Sequence, residues 1–342
     1  MNAATRSAPA QRHPLELVCP AGTPAALRAA VDAGAHAIYC GFNDETNARN
    51  FPGLNFSGPE LAAGIDYAHR HGAKVLVAIN TFARPGALDI WQKAVDTAAG
   101  AGADAVIAAD LAVLDHAARR HPGLRLHLSV QAAANTPEAI RFYAEAFGVR
   151  RVVLPRVLSV EEIARLNREI DVETEVFVFG GLCVMTEGRC ALSSYATGKS
   201  PNLTGVCSPP SHVAYEEAAD GSLLAHLGGF TIDRFAAGEP AGYPTLCKGQ
   251  FAATGKTGYL FEDPVSLNAA TLLPALQAAG VTALKIEGRQ RGKAYVASVV
   301  RAFRRAVDAL AQGNQVTDLS AELAALAEGG RQTTGAYRKT WR

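Results

Sequence analysis

The chain has 342 residues, of which 49% are apolar, and its 33 lysines and arginines against 32 acidic residues give a net charge of +1. This length supports one large domain or two modest ones. A net charge this close to zero does not indicate the basic surface that extended nucleic-acid binding needs, so we expect no nucleic-acid partner. No apolar run reaches the roughly 18 residues of a membrane span.

The first 14 residues are small and polar, which predicts a flexible N-terminal extension. They lack the apolar core that a signal peptide needs. We therefore expect a cytoplasmic protein without a transmembrane segment. In that reducing compartment, its six cysteines are expected to be thiols or metal ligands rather than disulfides.

Strand-like apolar runs alternate with amphipathic helical stretches along most of the chain, which is typical of a parallel α/β sheet. The predicted strands are Leu15–Cys19, Ala37–Gly41, Lys74–Asn80, Ala105–Asp110, Leu124–Gln131, Arg151–Arg156, Glu175–Phe179 and Ala283–Glu287. The predicted helices are Pro24–Ala35, Pro59–His71, Leu88–Ala99, Leu111–Arg120, Pro137–Phe147, Val160–Glu169, Leu267–Ala279 and Tyr295–Leu310. Eight such units in about 300 residues favour a (β/α)8 TIM-like barrel over an open doubly wound sheet.

A long segment separates the seventh predicted strand from its helix. Residues 180–265 are too many for a βα loop and are rich in glycine, proline and serine. We predict that they form an insertion at the catalytic face of the barrel. The predicted organisation is then an extension (1–14), the first seven strands (15–179), the insertion (180–265), the barrel closure (266–312) and a C-terminal tail (313–342).

Four of the six cysteines lie in this insertion, at Cys183, Cys190, Cys207 and Cys247, separated by six, sixteen and thirty-nine residues. Thiolates are the soft ligands of iron–sulfur clusters and of structural zinc. No C-x-x-C pair occurs, which argues against a zinc ribbon. The wide, irregular gaps and the lack of a nearby paired histidine favour a [4Fe-4S] cluster, with zinc or four unrelated buried thiols as the alternatives.

The remaining two cysteines and the nine histidines offer no further metal motif. Cys19 and Cys40 lie inside the first two predicted strands and are expected to pack in the core. No two histidines have metal-ligand spacing, so we expect them at the solvated surface.

Polar side chains end several predicted strands. They are Asn80, Asp110, Gln131, Arg156 and Glu287. In a barrel these positions converge on the mouth, where active sites are built. They therefore predict a polar site at that end, where Asn80, Gln131, Arg156 and Glu287 are candidate substrate-binding residues.

Three arginines are predicted near the same rim. Arg49 follows the second strand, Arg156 ends the sixth and Arg289 follows the eighth. A guanidinium has a planar fork that suits carboxylate or phosphate, so the three suggest an anionic ligand. The alternative is that Arg156 and Arg289 pair with Glu287 or Asp110 and only stiffen the rim.

Together these residues resemble the collagenase-like peptidase family from about Glu16 to the C-terminus. The segments that carry the resemblance are Cys19–Gly22, Asp44–Phe51, Ala78–Ala83, Val152–Ser159, Glu187–Cys190, Gly242–Gly249 and Lys285–Arg289. The residues at 1–14 and Cys40 fall outside the pattern.

The resemblance implies a function that the family name does not suggest. Within the family, proteins of this kind are assigned to oxygen-independent hydroxylation of ubiquinone precursors in anaerobically growing bacteria. The resemblance places a [4Fe-4S] cluster on Cys183, Cys190, Cys207 and Cys247. It implies a heterodimer with a homologous, UbiV-like subunit and cooperation with a UbiT-like lipid carrier, with prephenate as the oxygen donor.

Two other functions stay open at this stage. Related family members hydroxylate RNA, although the neutral charge counts against that substrate. A peptidase would need a nucleophile–base pair or an open hydrolytic metal site, and the sequence shows neither convincingly.

Overall fold

A computed structural model describes residues 14–338, so nearly all of the predicted N-terminal extension at 1–14 lies outside the described part. Its first half alternates strands and helices. The strands are β1 (Glu16–Pro20), β2 (Ala37–Gly41), β3 (Lys74–Ile79), β4 (Ala105–Ala108), β5 (Arg125–Leu128), β6 (Arg151–Val153) and β7 (Glu173–Gly181). The helices are α1 (Pro24–Asp32), α2 (Gly58–Arg70), α3 (Leu88–Gly100), α4 (Leu111–Arg120), α5 (Pro137–Phe147) and α6 (Val160–Asn167).

The second half carries the insertion, the end of the barrel and a C-terminal segment. The insertion holds α7 (Leu192–Thr197), α8 (Pro201–Thr204), β8 (Val213–Glu217), β9 (Leu223–Leu227), β10 (Phe230–Phe235), β11 (Gln250–Ala253) and β12 (Lys256–Tyr259). After it come β13 (Ser266–Asn268), α9 (Leu273–Ala278), β14 (Ala283–Ile286), α10 (Lys293–Ala311), α11 (Ser320–Leu323) and β15 (Gln332–Thr333).

Eight parallel strands close into a barrel. Strands β1 to β7 pair in sequence order, and β14 pairs with both β7 and β1. In that closure Ala283 lies opposite Glu175 on one side and Glu16 on the other. The predicted (β/α)8 barrel is therefore confirmed. No helix in residues 14–338 is long and apolar enough to cross a membrane.

The helix predicted at Leu267–Ala279 is wrong in its first part. Residues 266–268 form the short strand β13, which runs antiparallel to β7 with Leu267 opposite Gly180. Helix α9 begins only at Leu273. Strand β7 extends to Gly181, beyond its pairing with β14, and this extension gives β13 an edge to pair with.

The barrel interior has an apolar part and a charged part. The apolar part is formed by Val18, Ala37, Tyr39, Leu76, Ala105, Ile107 and Ala283. The charged part centres on Glu175, which is fully buried and pairs with Lys285 at 2.6 Å and with Arg151 at 3.3 Å. Breaking such a buried pair by removing one partner typically costs about 3–5 kcal/mol, so loss of either cation should destabilise the barrel.

The insertion and the C-terminal segment pack against each other and against the barrel. Strands β8, β9 and β10 form one antiparallel sheet, and β11 and β12 form a second. The buried Lys248 donates to Glu328 at 2.5 Å, which joins the insertion to the C-terminal segment. Tyr337 donates its hydroxyl proton to the carbonyl of Phe177 at 2.5 Å, and β15 pairs with β13. Residues 328–337 thus lie against the barrel end that bears the insertion.

Candidate functional site

A polar pocket of about 50 Å³ lies at the barrel mouth. The structure brings together there all six residues that the sequence proposed as ligand-binding. They are Arg49, Asn80, Gln131, Arg156, Glu287 and Arg289. Their convergence follows from the barrel, because each comes after or near the carboxyl end of a parallel strand. Their role in binding stays a prediction.

Asp110 does not line this pocket. It is the N-cap of α4 and accepts hydrogen bonds from the backbone amides of Ala112 at 2.8 Å and Val113 at 3.3 Å. Its second oxygen accepts a bond from the amide of Ala83 at 3.0 Å. This polar strand end therefore serves helix capping, which is the ordinary use of aspartate at that position.

A second cavity, of about 180 Å³, is lined by all four insertion cysteines: Cys183, Cys190, Cys207 and Cys247. It shares five lining residues with the mouth pocket. These are Arg49, Gln131, Arg156, Glu187 and Glu287. The two cavities are therefore neighbours, with the cysteines above the barrel mouth.

The sulfurs are spaced more widely than a single zinc ion bound by all four would allow. Among the described residues, no three of the cysteine sulfurs lie within 4.8 Å of one another. Four thiolates around one tetrahedral zinc would lie about 3.8 Å apart, because each Zn–S bond is about 2.3 Å. In a [4Fe-4S] cluster each thiolate ligates a different iron, which sets the sulfurs further apart.

Two thiols in this cavity, those of Cys183 and Cys247, are in surroundings that raise their pKa. Burial raises the pKa of Cys247 to about 11, and the neighbouring Cys207 and Cys190 raise it as well. Burial raises the pKa of Cys183 further, assisted by Glu187. A bound metal cation removes this penalty, because coordination deprotonates a thiol outright.

Two polar atoms that line the cysteine cavity, the side-chain oxygens of Gln131 and Ser208, are buried without a hydrogen-bond partner among the described residues. The hydroxyl of Thr245 is a hydrogen-bonding partner of the Cys247 thiol. Ser208 follows Cys207, and Thr245 lies two residues before Cys247. Buried hydroxyls without a partner are costly. The hydroxyls of Ser208 and Thr245 can donate to a sulfur-rich group, whereas the amide oxygen of Gln131 can only accept, so the two hydroxyls fit an iron–sulfur cluster.

The positive charge of Arg156 is balanced by a carboxylate of the same chain. Its Nε lies 2.8 Å from Oε1 of Glu187, both residues are almost fully buried, and the guanidinium stacks 3.8 Å from the ring centre of Phe177. Burial alone would lower the pKa of Arg156, but Glu187 raises it above its ordinary value. The carboxylate partner of Arg156 is therefore Glu187, rather than Glu287 or Asp110.

Arg289 is buried without an acidic partner. It is 6% exposed, and its Nη1 donates to Oδ1 of Asn47 at 2.6 Å. No carboxylate in residues 14–338 lies within 4.0 Å of its guanidinium. Burial, together with the charge of the nearby Arg49, lowers the pKa of Arg289 to about 10. A buried cation of this kind is stabilised by an anion, and the pocket is where one can enter.

Arg49 and Glu287 complete the charge pattern between the two cavities. Arg49 donates only to the carbonyl of Ala48, at 3.3 Å, among the hydrogen bonds of its guanidinium in the described chain. Burial raises the pKa of Glu287, but Arg49 and Arg156 more than offset it and hold the pKa below its ordinary value. Glu287 therefore stays ionised, and its Oε2 accepts a bond from the amide of Gly181 at 3.0 Å.

Two glycines allow the loops of the site to approach each other. Gly188 has φ +79°, and a Cβ there would lie 2.0 Å from the carbonyl oxygen of Gln131. A Cβ at Gly22 would lie 1.8 Å from the carbonyl oxygen of Arg289. Any side chain at either position would displace a pocket residue.

Sequence reasoning missed several residues of the mouth pocket. They are Tyr39, Ser129, Phe177, Glu187 and Lys285. Glu187 could have been predicted from the sequence, since it directly precedes the Gly-Arg-Cys segment that ends in Cys190. The other four lie in or directly after apolar strands, where nothing in the sequence separates a pocket-facing residue from a core residue.

Comparison with known proteins identifies relatives over nearly the whole chain. The profile of the family described as Peptidase family U32 matches residues 22–339. The tRNA hydroxylation protein P1 of Bacillus subtilis (strain 168) is 30% identical over 86% of this chain and 63% of its own length. The tRNA hydroxylation protein P of Escherichia coli (strain K12) is 31% identical over 95% of this chain and 74% of its own. The chain thus spans about two thirds of the length of these relatives.

Among solved structures, that of the U32 peptidase Mk0906 has a TM-score of 0.41 and 17% identity. The match covers 52% of this chain and 72% of that one. The barrel assignment given above rests on the strand pairing of this chain itself.

Proposed function

The chain belongs to peptidase family U32, and on that premise we propose that it is a subunit of an oxygen-independent hydroxylase with a [4Fe-4S] cluster. The observation that carries the proposal is the shared wall of the two cavities. Four cysteines line one of them, and it adjoins a pocket lined by cationic side chains. Within the family, the sequence resembles the ubiquinone biosynthesis protein UbiU.

The cluster would be held by Cys183, Cys190, Cys207 and Cys247. When bound, it would supply one-electron transfer beside the mouth pocket. The contribution of the chain is to gather the four ligands around one cavity, to present donors around the sulfurs and to keep a charged pocket against that cavity.

The mouth pocket would bind the oxygen donor. A reaction without dioxygen needs a bound donor, and we propose prephenate, a dicarboxylate, in this role. Arg289 and Arg49 have no carboxylate partner among the described residues, and so both can pair with carboxylates of a ligand. Arg156 and Glu187 form the wall between donor and cluster. Gln131 offers an unpartnered amide oxygen to a hydroxyl of the ligand.

The acceptor would be a ubiquinone precursor, which is an aromatic ring with an apolar tail. The cysteine cavity has apolar lining residues suited to such a molecule. They include Phe51, Leu182, Met185, Val206 and Tyr243. Delivery of this insoluble substrate by a UbiT-like carrier, and a heterodimer with a UbiV-like subunit, belong to the same proposal.

RNA is the second candidate substrate, and the relatives favour it. Two of them are named as tRNA hydroxylation proteins. A net charge of +1 provides little of the phosphate attraction that RNA binding normally requires. The expected lack of a nucleic-acid partner thus needs a direct test.

Peptidase chemistry receives no support from the site. A nucleophilic peptidase needs a base beside its nucleophile. None of the histidines in residues 14–338 lines either cavity.

The proposal is tested by anaerobic purification and by product analysis. Iron and acid-labile sulfide should amount to about four each per chain. Anaerobic cells that lack the gene should regain ubiquinone with the wild type and with Cys40→Ala, but not with Cys247→Ala. Hydroxylated nucleosides from the same cells are measured in parallel. Their restoration without ubiquinone would replace the quinone substrate by RNA, and restoration of both products by Cys247→Ala would refute the cluster.

A further inference from the structure

A second cluster of metal-ligating side chains lies on the outside of the barrel, between α3 and α4. It consists of Asp96 on α3, His116 on α4 and His121 directly after α4. Among the described residues this is the one group whose three ligand atoms lie within 4.8 Å of one another. The sequence had placed all histidines at the solvated surface without a metal role.

Both imidazoles point their Nε2 atoms at the same carboxylate oxygen. The distance to Oδ1 of Asp96 is 2.9 Å from His116 and 2.6 Å from His121. The two rings lie edge to face with centres 6.2 Å apart. The side chains of His116 and His121 are 19% and 25% exposed, so each ring is largely fixed by packing, whereas the side chain of Asp96 is 46% exposed.

We propose that Asp96, His116 and His121 form a binding site for one divalent transition-metal ion such as Zn²⁺. Two imidazoles and one carboxylate are a ligand set that these ions prefer. Across a tetrahedral ion with bonds of about 2.0–2.1 Å, nitrogen and oxygen lie about 3.3 Å apart. The carboxylate therefore has to withdraw by less than about 1 Å, and its exposed side chain is free to do so.

The site is independent of the iron–sulfur proposal. Asp96 and His121 lie towards the C-terminal ends of their helical segments, and in a (β/α)8 barrel these ends face away from the mouth. Three protein ligands leave a position for water, so the ion is exchangeable rather than permanently enclosed. Its binding would join α3 to α4 and stabilise the folded chain by mass action.

The test is metal titration of the cluster-loaded protein without a histidine tag. Addition of Co²⁺ should give one equivalent of binding with ligand-field bands but without thiolate-to-cobalt charge transfer, which separates this site from the cysteines. Zn²⁺ should compete for it and raise the unfolding temperature. His121→Ala and Asp96→Asn should each weaken binding at least tenfold.

The matched control is His69→Ala. His69 pairs with Asp104 at 2.8 Å in an exposed His–Asp contact that has only one histidine. It should bind Co²⁺ as the wild type does. Equal affinity in wild type and His121→Ala, with normal folding by circular dichroism, would overturn the site. So would a spectrum that shows only thiolate ligation, or the absence of stoichiometric binding in the wild type.

Discussion

Arg289 and Arg156 should respond in opposite ways to loss of their charge. Both are about 6% exposed and both line the mouth pocket, but only Arg156 has a carboxylate partner among the described residues. Replacing each with methionine keeps an apolar stem of similar length and removes the guanidinium. The pair therefore separates a ligand-binding charge from a structural one.

For Arg289→Met we expect weaker donor binding with little loss of stability. A charged hydrogen-bonding partner contributes about 1.5–3 kcal/mol, which corresponds to a rise in KM for the donor of about 10- to 150-fold. Removing a buried cation that has no acidic partner also removes its desolvation cost, so the free energy of unfolding should hardly fall. Arg289→Lys keeps the charge but loses the planar fork, and we expect an intermediate KM.

For Arg156→Met we expect a large loss of stability with little change in donor binding. Glu187 is left buried without its cation, and removal of one partner of such a pair costs about 3–5 kcal/mol of stability. The double variant Arg156→Met with Glu187→Gln should recover much of that loss.

The assay measures anaerobic hydroxylation against donor concentration, with iron content and urea unfolding of each variant. An unchanged KM in Arg289→Met at wild-type iron content would refute donor binding by this residue. If Arg289→Met lost as much stability as Arg156→Met, the inference that only Arg156 has a stabilising carboxylate partner would be wrong.

Further predictions concern the cluster and the barrel interior. Cys247→Ala should lose iron and destabilise the insertion, whereas Cys40→Ala should keep both, as iron analysis and proteolysis will show. Ser208→Ala and Thr245→Val should each shift the cluster potential to more negative values in an EPR-monitored redox titration, since they remove donors near the sulfurs; an unchanged potential contradicts this role. Burial holds the pKa of His127 well below its ordinary value. The unfolded chain therefore binds a proton that the folded chain does not, and stability falls as the pH drops below about 6.5. His127→Leu should flatten that part of the stability curve, and an unchanged slope would exclude His127 as its source.

The sequence alone was sufficient to predict the (β/α)8 barrel and to single out the four insertion cysteines as one group. The alternation of apolar runs and amphipathic helices determines eight β–α units, because each strand must be covered by a helix. The four cysteines stand out because they cluster in one segment that is too long for a loop. The polar strand ends converge for the same topological reason, and five of the six residues predicted for the pocket follow barrel strands closely. The missed strand β13 depends on a contact with the extended end of β7, which no local pattern reveals.

Only the tertiary structure decided which charges are free and which are paired. Arg156 and Arg289 look alike in sequence, but the insertion brings Glu187 against Arg156 and brings no carboxylate of the described chain to Arg289. In the same way, His116 and His121 acquire a shared partner only because α3 lays Asp96 beside α4. Ion pairing and metal ligation depend on distances of a few ångströms between residues far apart in the chain. Such distances are set by packing, and the sequence pattern records only which residues are available.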